Sequence, residues 1–395
     1  MTSPRPIVDK LKDGMNRLLS RRALLAAPAL LPALAQDQQQ PRFAGKRPMI
    51  VHSDFPEDLE SLPEYLSTWI TPNDSFFVRQ HLPRPKSDAA SHRIEIGGMV
   101  KQNAALSIAD LRALPQTTLP AVLECAGNGR GFYRPRMPGL QWSKGAIGNA
   151  EWRGPRLIDV LAKAGASPQA AYADFNGLDV GVGKTPDFIR SIPMRKTLHP
   201  STILALDMNG VPLPDLHGGP VRLIVPGWDG ASWVKWVAKI DLVDKINPGF
   251  YMNPAYRYPN TPVAPGSAAK PEDLGVLEGM AVKSFFARPA DQARAAVGQA
   301  LTLTGPAWAG ENKIVRVEVS TDGGASWRLA SLSAKDFQFS WRIWSSQWKP
   351  AKPGYYTLCC RATDSAGRMQ PIEAVWNPSG YLWNAIDRIG VLVEG

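Results

Sequence analysis

Apolar residues occur along the chain in short runs, each bounded by glycine, proline or small polar residues. Runs of this kind are typical of buried strands rather than of long helices. The run at residues 119–123 is the clearest example. On this pattern we predict strands at residues 92–100, 119–123, 173–178, 202–206, 221–225 and 233–242.

Two short helices are predicted among these strands. Ser107 with Asp110 three residues later resembles a capping box, which would begin a helix at this point. Pro155 suits a first helical turn, and apolar residues follow it at helical spacing as far as Leu161. Because strands and helices do not alternate regularly, we predict an α+β fold rather than a doubly wound sheet. The sequence has no GxGxxG after a strand and no Walker A motif, so a nucleotide site has no support.

The last third of the chain shows a different pattern. Residues 260–271 are rich in proline, alanine, glycine and serine, which predicts a linker. Beyond it, apolar and charged residues alternate at 314–319, and the pair Asp322-Gly323 is a strong hairpin signal. We therefore predict a first domain at residues 49–260, a linker at 261–271 and an all-β sandwich of about seven strands at 272–395.

The N-terminus has the organisation of an export signal. Arg21 and Arg22 precede an apolar stretch at residues 23–35, whose end has the small-x-small pattern of a signal-peptidase site. The stretch is too short to span a bilayer. We therefore predict a twin-arginine signal peptide at residues 1–35, a flexible leader at 36–48, a periplasmic location and no membrane span. A general export signal with coincidental arginines is the alternative.

Composition and charge narrow the class of function. The chain has 395 residues, 44% of them hydrophobic and 20% charged, which is typical of a globular protein with room for two cores. Its net charge is +10, and residues 1–35 contribute six basic and two acidic side chains to it. The remaining positive charge is spread without a basic run, which argues against nucleic-acid binding. It suits an anionic substrate or an acidic protein partner.

Three cysteines are too few for a disulfide framework, and no CxxCH haem motif occurs in the sequence. Cys359 and Cys360 are adjacent in a predicted strand and would point to opposite faces, so we expect both to pack. Cys125 differs, because it follows the strand at 119–123 and begins a glycine-rich loop that ends at Arg130. A thiolate beside positive charge is either a nucleophile or a soft metal ligand, although a packing role is commoner for a single cysteine.

Several motifs resemble the sulfite oxidase family. Arg79 and His81, two positions apart, would share one face of an extended segment, and both belong to the first of these motifs. The motifs are FVRQHLP at 77–83, ECAGNGR at 124–130, QW at 141–142, GAIG at 145–148, HGGPVR at 217–222, VKW at 234–236, WN at 376–377 and NA at 384–385. They follow the family's order and approximate spacing from about residue 48 to the C-terminus.

The resemblance implies a molybdopterin-binding domain, an immunoglobulin-like dimerisation domain and hence a homodimer. Cys125 would be the thiolate ligand of molybdenum, beside the two sulfurs of the pterin. The residues that would hold the pterin and its phosphate are His81, Asp179, His217, Arg222 and Lys235. The residues that would line the substrate pocket are Arg79, Arg130 and Trp142, with Tyr256 beside the reactive centre and Tyr251 as the alternative for that position.

The chain departs from the family pattern at two points. Ser379 stands where animal and plant members have an arginine, which would weaken anion binding unless another residue replaces it. No cytochrome b5-like segment precedes residue 48, so the chain would carry no haem and would pass electrons to a separate acceptor. Together with the export signal, this is similar to the bacterial periplasmic sulfite dehydrogenases, whose acceptor is a c-type cytochrome. The resemblance therefore implies the oxidation of sulfite to sulfate.

Three other functions are compatible with the same motifs. A sulfane dehydrogenase would act on sulfur bound to a carrier protein. A reductase of S-oxides could use the same fold, although such relatives generally lack the second domain. An exported binding protein could keep the fold without the metal, and the metal content of the purified protein would separate this case from the enzymes.

Overall fold

Strands dominate the structure, as the short apolar runs predict. The computed structural model describes residues 42–395, and the predicted signal peptide at residues 1–35 lies outside them. The described residues belong to one compact unit. Within this part of the chain, no helix has the length and apolar character needed to cross a membrane.

Fifteen strands lie between residues 50 and 276. In chain order they are β1 (Ile50–Asp54), β2 (Glu57–Glu60), β3 (Arg93–Gly98), β4 (Ala104–Ser107), β5 (Gln116–Glu124), β6 (Ile147–Pro155), β7 (Tyr172–Gly177), β8 (Ile189–Pro193), β9 (Ile203–Ala205), β10 (Asp207–Met208), β11 (Val211–Pro212), β12 (Arg222–Ile224), β13 (Val237–Val243), β14 (Arg257–Pro259) and β15 (Leu274–Val276). A five-stranded sheet has the order β4-β3-β13-β7-β8, and a four-stranded sheet has the order β11-β10-β6-β5. Only the β3–β13 pair of these two sheets is parallel. The strand pairs β1–β2, β9–β12 and β14–β15 complete this part of the fold.

The helices are short and lie between the strands, which confirms the α+β fold class. They are α1 (Ile108–Ala113), α2 (Leu157–Leu161) and α3 (Met194–Thr197), with 3-10 turns at Pro63–Leu66, Arg130–Phe132, Asp215–His217, Gly230–Ser232 and Pro271–Asp273. The capping box before α1 is confirmed, because Ser107 Oγ accepts from the Asp110 N–H and Asp110 Oδ2 accepts from the Ser107 N–H. Helix α2 begins two residues later than predicted, since Pro155 is the last residue of β6 and pairs with Gln116.

The strand predicted at residues 233–242 begins only at Val237. Trp236 has φ of +48°, a left-handed conformation that non-glycine residues seldom adopt. Its N–H donates to the carbonyl of Gly218, so the chain turns before β13 instead of continuing as a strand. Because nothing in the amino-acid type of Trp236 favours this conformation, the turn could not be read from the local pattern.

The C-terminal part is a two-sheet sandwich. Its strands are β16 (Lys283–Ser284), β17 (Ala293–Ala296), β18 (Leu301–Trp308), β19 (Ile314–Ser320), β20 (Arg328–Leu329), β21 (Ser331–Leu332), β22 (Arg342–Trp348), β23 (Gly354–Asp364) and β24 (Asp387–Glu394). One sheet has the order β16-β18-β22-β21 and the other β17-β24-β23-β19-β20. The prediction of a sandwich is confirmed, with nine strands in residues 283–394 instead of about seven, because several are only two residues long. Cys359 and Cys360 are buried in β23 and unpaired, as expected of packing residues.

The sandwich and the cysteine-bearing sheet are joined by a buried polar cluster. Glu124, the last residue of β5, accepts from Lys283 Nζ at 2.5 Å and from Trp308 Nε1 at 2.9 Å. Asn128 Nδ2 donates to the same carboxylate at 3.1 Å. Trp308 also belongs to a buried hydrophobic cluster that includes Val122. The residue immediately before Cys125 is therefore fixed by the C-terminal part of the chain.

The two connecting segments are more structured than their composition suggests. Most of the predicted linker at 261–271 forms the loop between β14 and β15, which pair with each other. The predicted leader at 36–48 is described only from residue 42, and within it Lys46 is buried and hydrogen-bonded to the body of the protein. The folded part therefore starts at least as early as Lys46, rather than at residue 49.

Candidate active site

Cys125 lies in the first turn after β5, where the chain leaves the sheet. Its N–H donates to the carbonyl of Ala146 at 2.9 Å, and its own carbonyl accepts from the Asn128 N–H at 2.8 Å. A Cβ at Gly127 would lie 2.7 Å from the Arg130 guanidinium, so a side chain there would displace Arg130 from its present position. The missing side chain at Gly127 thus leaves room for the guanidinium of Arg130 beside the loop.

Two cavities meet at Cys125. The residue lines both the inner cavity, which extends to Arg222 and Lys235, and the outer cavity, which extends to Arg130. All ten predicted site residues line these cavities. Four line both (Arg79, His81, Cys125 and Tyr256), two line only the outer cavity (Arg130 and Trp142), and four line only the inner cavity (Asp179, His217, Arg222 and Lys235). Cys125 thus lies between the outer cavity, which Arg130 lines, and the inner cavity, which several cations line.

Arg79 and His81 point to the same site, as their spacing predicts. Arg79 Nη1 donates to Asp58 Oδ1 at 3.2 Å and to the carbonyl of Gln80. Burial alone would lower the pKa of Arg79, but the carboxylate of Asp58 together with Tyr256 and Cys125 outweighs it and the pKa is raised. Arg79 therefore remains charged where the two cavities join.

The outer cavity has a second cation at Arg130. Its guanidinium donates from Nε to the carbonyl of Ser379 and from Nη1 to the carbonyl of Leu140, both at 3.1 Å. It also lies 5.3 Å from the centre of the Tyr381 ring, within cation–π range. Ser379 lines this cavity, so the position where relatives carry arginine faces the outer cavity here.

Tyr256 rather than Tyr251 lies where the two cavities join. Tyr256 lines both cavities, whereas Tyr251 lines only the outer one. The Tyr256 hydroxyl is 2.5 Å from His81 Nε2. Burial raises the pKa of Tyr256 well above its usual value, and burial together with the charge of Arg79 lowers the pKa of His81 well below its own. The Tyr256 hydroxyl therefore stays protonated, and its O–H donates a hydrogen bond to the neutral imidazole of His81.

Tyr256 also has an unusual backbone conformation. Its φ is +54°, and a left-handed conformation at a bulky residue costs on the order of 1–3 kcal/mol. Arg190 lies beneath the ring, with its guanidinium carbon 5.0 Å from the ring centre, and it donates to the carbonyl of Tyr251. Packing around the 251–256 segment thus holds the tyrosine in an unfavourable conformation at the cavity junction.

Positive charge accumulates at one end of the inner cavity. Arg222 donates to the carbonyls of Trp233 at 3.2 Å and His217 at 3.0 Å, and Lys235 donates to the carbonyl of Leu216 at 3.1 Å. Among residues 42–395 these cations bond carbonyls and form no ion pair with a carboxylate. Buried charges are normally paired, so this end of the cavity is suited to an anion.

Comparison with known proteins agrees with this geometry. Residues 81–251 match the family described as the oxidoreductase molybdopterin binding domain, and residues 276–394 match the Mo-co oxidoreductase dimerisation domain. Sulfite oxidase of Gallus gallus is 34% identical over 383 residues, which cover 92% of this chain and 82% of that protein. The chain belongs to the sulfite oxidase family.

Other members of the sulfite oxidase family show the same extent of similarity. Mitochondrial sulfite oxidase of Macaca fascicularis is 35% identical over 359 residues, which cover 87% of this chain but only 65% of that longer protein. The crystal structure of the sulfane dehydrogenase SoxCD from Paracoccus pantotrophus superposes with a TM-score of 0.76 and 27% identity, over 91% of this chain and 92% of that one. The fold is therefore shared nearly end to end with this solved structure.

The residues present fit the molybdopterin cofactor of the sulfite oxidase family. Gln80 lines the inner cavity, is 3% exposed, and has no hydrogen-bond partner for either amide atom among the described residues. Asp179 lines the same cavity, and burial raises its pKa to about 6. An amide without partners and a buried carboxyl suit the polar ring of a pterin, while Arg222 and Lys235 suit its phosphate.

The thiol chemistry favours a metal ligand over a nucleophile. Burial raises the pKa of Cys125, and the charges of Arg79 and Arg130 oppose this shift without cancelling it. A nucleophilic cysteine needs a lowered pKa, whereas a coordinated thiol is deprotonated by the metal itself. Cys125 is therefore the one side chain at the junction with the chemistry of a molybdenum ligand.

Several residues of the site were not predicted from the sequence. Gln80 and Glu124 lie inside the recognised motifs, and a polar residue within an apolar motif is a signal that could have identified them. Arg190 and Lys46 lie in unremarkable stretches. Their involvement depends on contacts between distant parts of the chain, which local patterns do not contain.

Proposed function

We propose that this protein oxidises sulfite to sulfate in the periplasm and passes the electrons to an external c-type cytochrome. Sulfite and water give sulfate, two protons and two electrons. The bound molybdopterin would supply a metal centre that accepts two electrons and releases them singly. The observation that carries the proposal is the pair of charged guanidiniums, Arg79 and Arg130, in the cavity beside Cys125.

The chain's own residues have separate parts in this reaction. Arg79 and Arg130 would bind the oxygens of the dianion and orient its sulfur towards the thiolate side of the junction. Trp142 lines the outer cavity, and its buried indole N–H has no partner among the described residues. Tyr256 would keep the proton on its hydroxyl, and its hydrogen bond to His81 Nε2, 2.5 Å away, would orient that hydroxyl.

Steady-state reduction of cytochrome c by the purified protein tests this function. We expect sulfite-dependent reduction with no activity when sulfite is omitted. Export is tested in parallel by fractionating cells that express the full chain and a variant with Arg21→Lys and Arg22→Lys. Absence of sulfite-dependent reduction in a protein that contains molybdenum would exclude sulfite as the substrate.

Replacing Arg79 with glutamine should weaken substrate binding. A hydrogen bond to a charged group contributes about 1.5–3 kcal/mol, which corresponds to a KM for sulfite raised roughly 10- to 150-fold. Glutamine keeps the length and polarity of the side chain but not its charge. Arg84→Gln, on a more exposed arginine that pairs with Glu57 and Asp215, is a matched control with an unchanged KM. An unaltered KM in Arg79→Gln would remove this residue from sulfite binding.

A sulfane dehydrogenase acting on carrier-bound sulfur is the second candidate. It is favoured by the end-to-end similarity to the sulfane dehydrogenase SoxCD and by Ser379, whose short side chain leaves room at the outer cavity. The dimerisation domain at residues 276–394 supports a homodimer for either candidate.

The variant Ser379→Arg separates the two candidates. An added guanidinium beside Arg130 should lower the KM for free sulfite by about tenfold, the value of one charged hydrogen bond. The same side chain would narrow the outer cavity and reduce turnover of a carrier-bound persulfide. If the wild type oxidises only the carrier-bound substrate, and Ser379→Arg abolishes that activity, the second candidate replaces the first.

A further inference from the structure

Lys46 joins the N-terminal segment to the cationic end of the inner cavity. It is 4% exposed, and its Nζ lies 2.6 Å from the carbonyl of Asn73, 2.7 Å from that of Phe76 and 2.8 Å from His217 Nε2. An ammonium group has three N–H donors and no acceptor. When Lys46 is protonated, all three donors are used, and the third requires an acceptor at His217.

This contact determines which nitrogen of His217 carries the proton. If Nε2 accepts from Lys46, the neutral ring must be protonated at Nδ1. A longer contact of 3.3 Å joins Nε2 to the carbonyl of Asn73 and would suit the other tautomer, but the contact of Nε2 with Lys46 is 0.5 Å shorter and favours Nδ1–H. No residue in the described part of the chain hydrogen-bonds Nδ1, and His217 lines the inner cavity. The Nδ1–H group is thus free to donate to a ligand.

We propose that Lys46 is a positioning residue of the cofactor site, which fixes His217 as the Nδ1–H tautomer and so completes a donor set for the phosphate of the pterin. The other members of the set are Arg222 and Lys235. Metal-binding histidines are held in the same way by outer partners, whose loss typically weakens affinity about 10- to 100-fold. The inference rests on the molybdopterin site and is independent of which sulfur compound is oxidised.

Electrostatics agree with this arrangement. Burial lowers the pKa of Lys46 to about 7, and the carboxylate of Asp74 opposes the shift. An anion bound in the cavity favours the charged form of a nearby lysine. A phosphate at His217 would therefore keep Lys46 protonated, and the protonated Lys46 keeps Nδ1–H directed to the phosphate. Because Lys46 precedes β1, cofactor binding would also hold the N-terminal segment against the domain.

The tautomer of His217 is measurable without any mutation. The chain has five histidines, so ¹⁵N-histidine labelling of the full protein gives few imidazole signals. The signal that disappears in His217→Gln belongs to His217. At about pH 6, below the pKa of Lys46, we expect the Nδ1–H pattern in the wild type and a change of tautomer in Lys46→Met. An Nε2–H pattern in the wild type would overturn the inference even if the variant does not fold.

Cofactor release provides the second measurement. Lys46→Met should release pterin during dialysis about 10- to 100-fold faster than the wild type. Arg47→Met removes the same charge from the next residue, whose exposed side chain pairs with Asp74, and should release pterin at the wild-type rate. In a His217→Gln background, Lys46→Met should have no additional effect, because its action passes through the histidine.

The outcomes separate this inference from the assignment of the cofactor. If the wild-type protein contains neither molybdenum nor pterin, the assignment of the molybdopterin site itself is rejected. If the wild type contains the cofactor and Lys46→Met releases pterin at the wild-type rate, only the role of Lys46 is rejected. The same holds if Lys46→Met has an equal effect on the release rate with and without His217. The unfolding midpoint of cofactor-free Lys46→Met, measured alongside, shows how much of the change is structural.

Discussion

We expect Cys125→Ser to abolish turnover and to leave the protein folded. Serine replaces a soft thiolate with a hydroxyl that does not ionise near neutral pH, so the protein's only direct bond to molybdenum would be lost. The change in side-chain volume is small, and we expect the free energy of unfolding to fall by no more than about 1 kcal/mol.

A matched variant distinguishes loss of the ligand from loss of a thiol. Cys359→Ser removes a buried thiol from β23, far along the chain from the cavities, and should leave sulfite-dependent dye reduction unchanged. Both variants are assayed at equal concentrations of folded protein, measured by circular dichroism. Sulfite-dependent reduction that persists in Cys125→Ser would rule out this cysteine as the metal ligand.

Lys283→Met should produce the largest loss of stability. The Lys283–Glu124 ion pair is almost completely buried, with side chains 6% and 5% exposed. Removing the cation leaves the carboxylate buried without its counter-charge, which typically costs about 3–5 kcal/mol. Trp308 Nε1 and Asn128 Nδ2 still donate to Glu124, but neutral donors do not replace the charge.

Two further variants show how much of that loss of stability comes from the buried, unpaired charge. Arg294→Met breaks an exposed ion pair with Glu394 at the sandwich edge and should cost less than about 1 kcal/mol. The double variant Lys283→Met with Glu124→Gln should recover part of the stability, because no uncompensated charge remains. Urea unfolding monitored by tryptophan fluorescence gives all the values. A cost for Lys283→Met no greater than that of Arg294→Met would show that the buried pair does not hold the two parts together.

Local sequence patterns were sufficient for the elements that bear the site. The strand before Cys125 follows from its apolar run, and the tight loop follows from Gly127, whose missing side chain admits Arg130. The shared direction of Arg79 and His81 follows from an extended backbone. These features depend on neighbours in sequence, so a local pattern contains the information.

Features that depend on distant contacts could not be predicted in this way. Lys46 contacts His217, which lies 171 residues away in the sequence, and Glu124 contacts Lys283, which lies 159 residues away. The left-handed conformations of Trp236 and Tyr256 are imposed by surrounding packing, since neither residue type favours them. Family resemblance supplied the list of site residues, but only the fold showed that they line two cavities joined at the cysteine.

The most direct test of this account is the molybdenum content of the purified full-length protein. Elemental analysis combined with fluorescence of the released pterin should give close to one molybdenum and one pterin per chain in the wild type. The same preparation of Cys125→Ser should contain the pterin but little molybdenum. A wild-type protein that folds correctly and carries neither would contradict the account, and would leave a binding protein that has kept the fold of an enzyme.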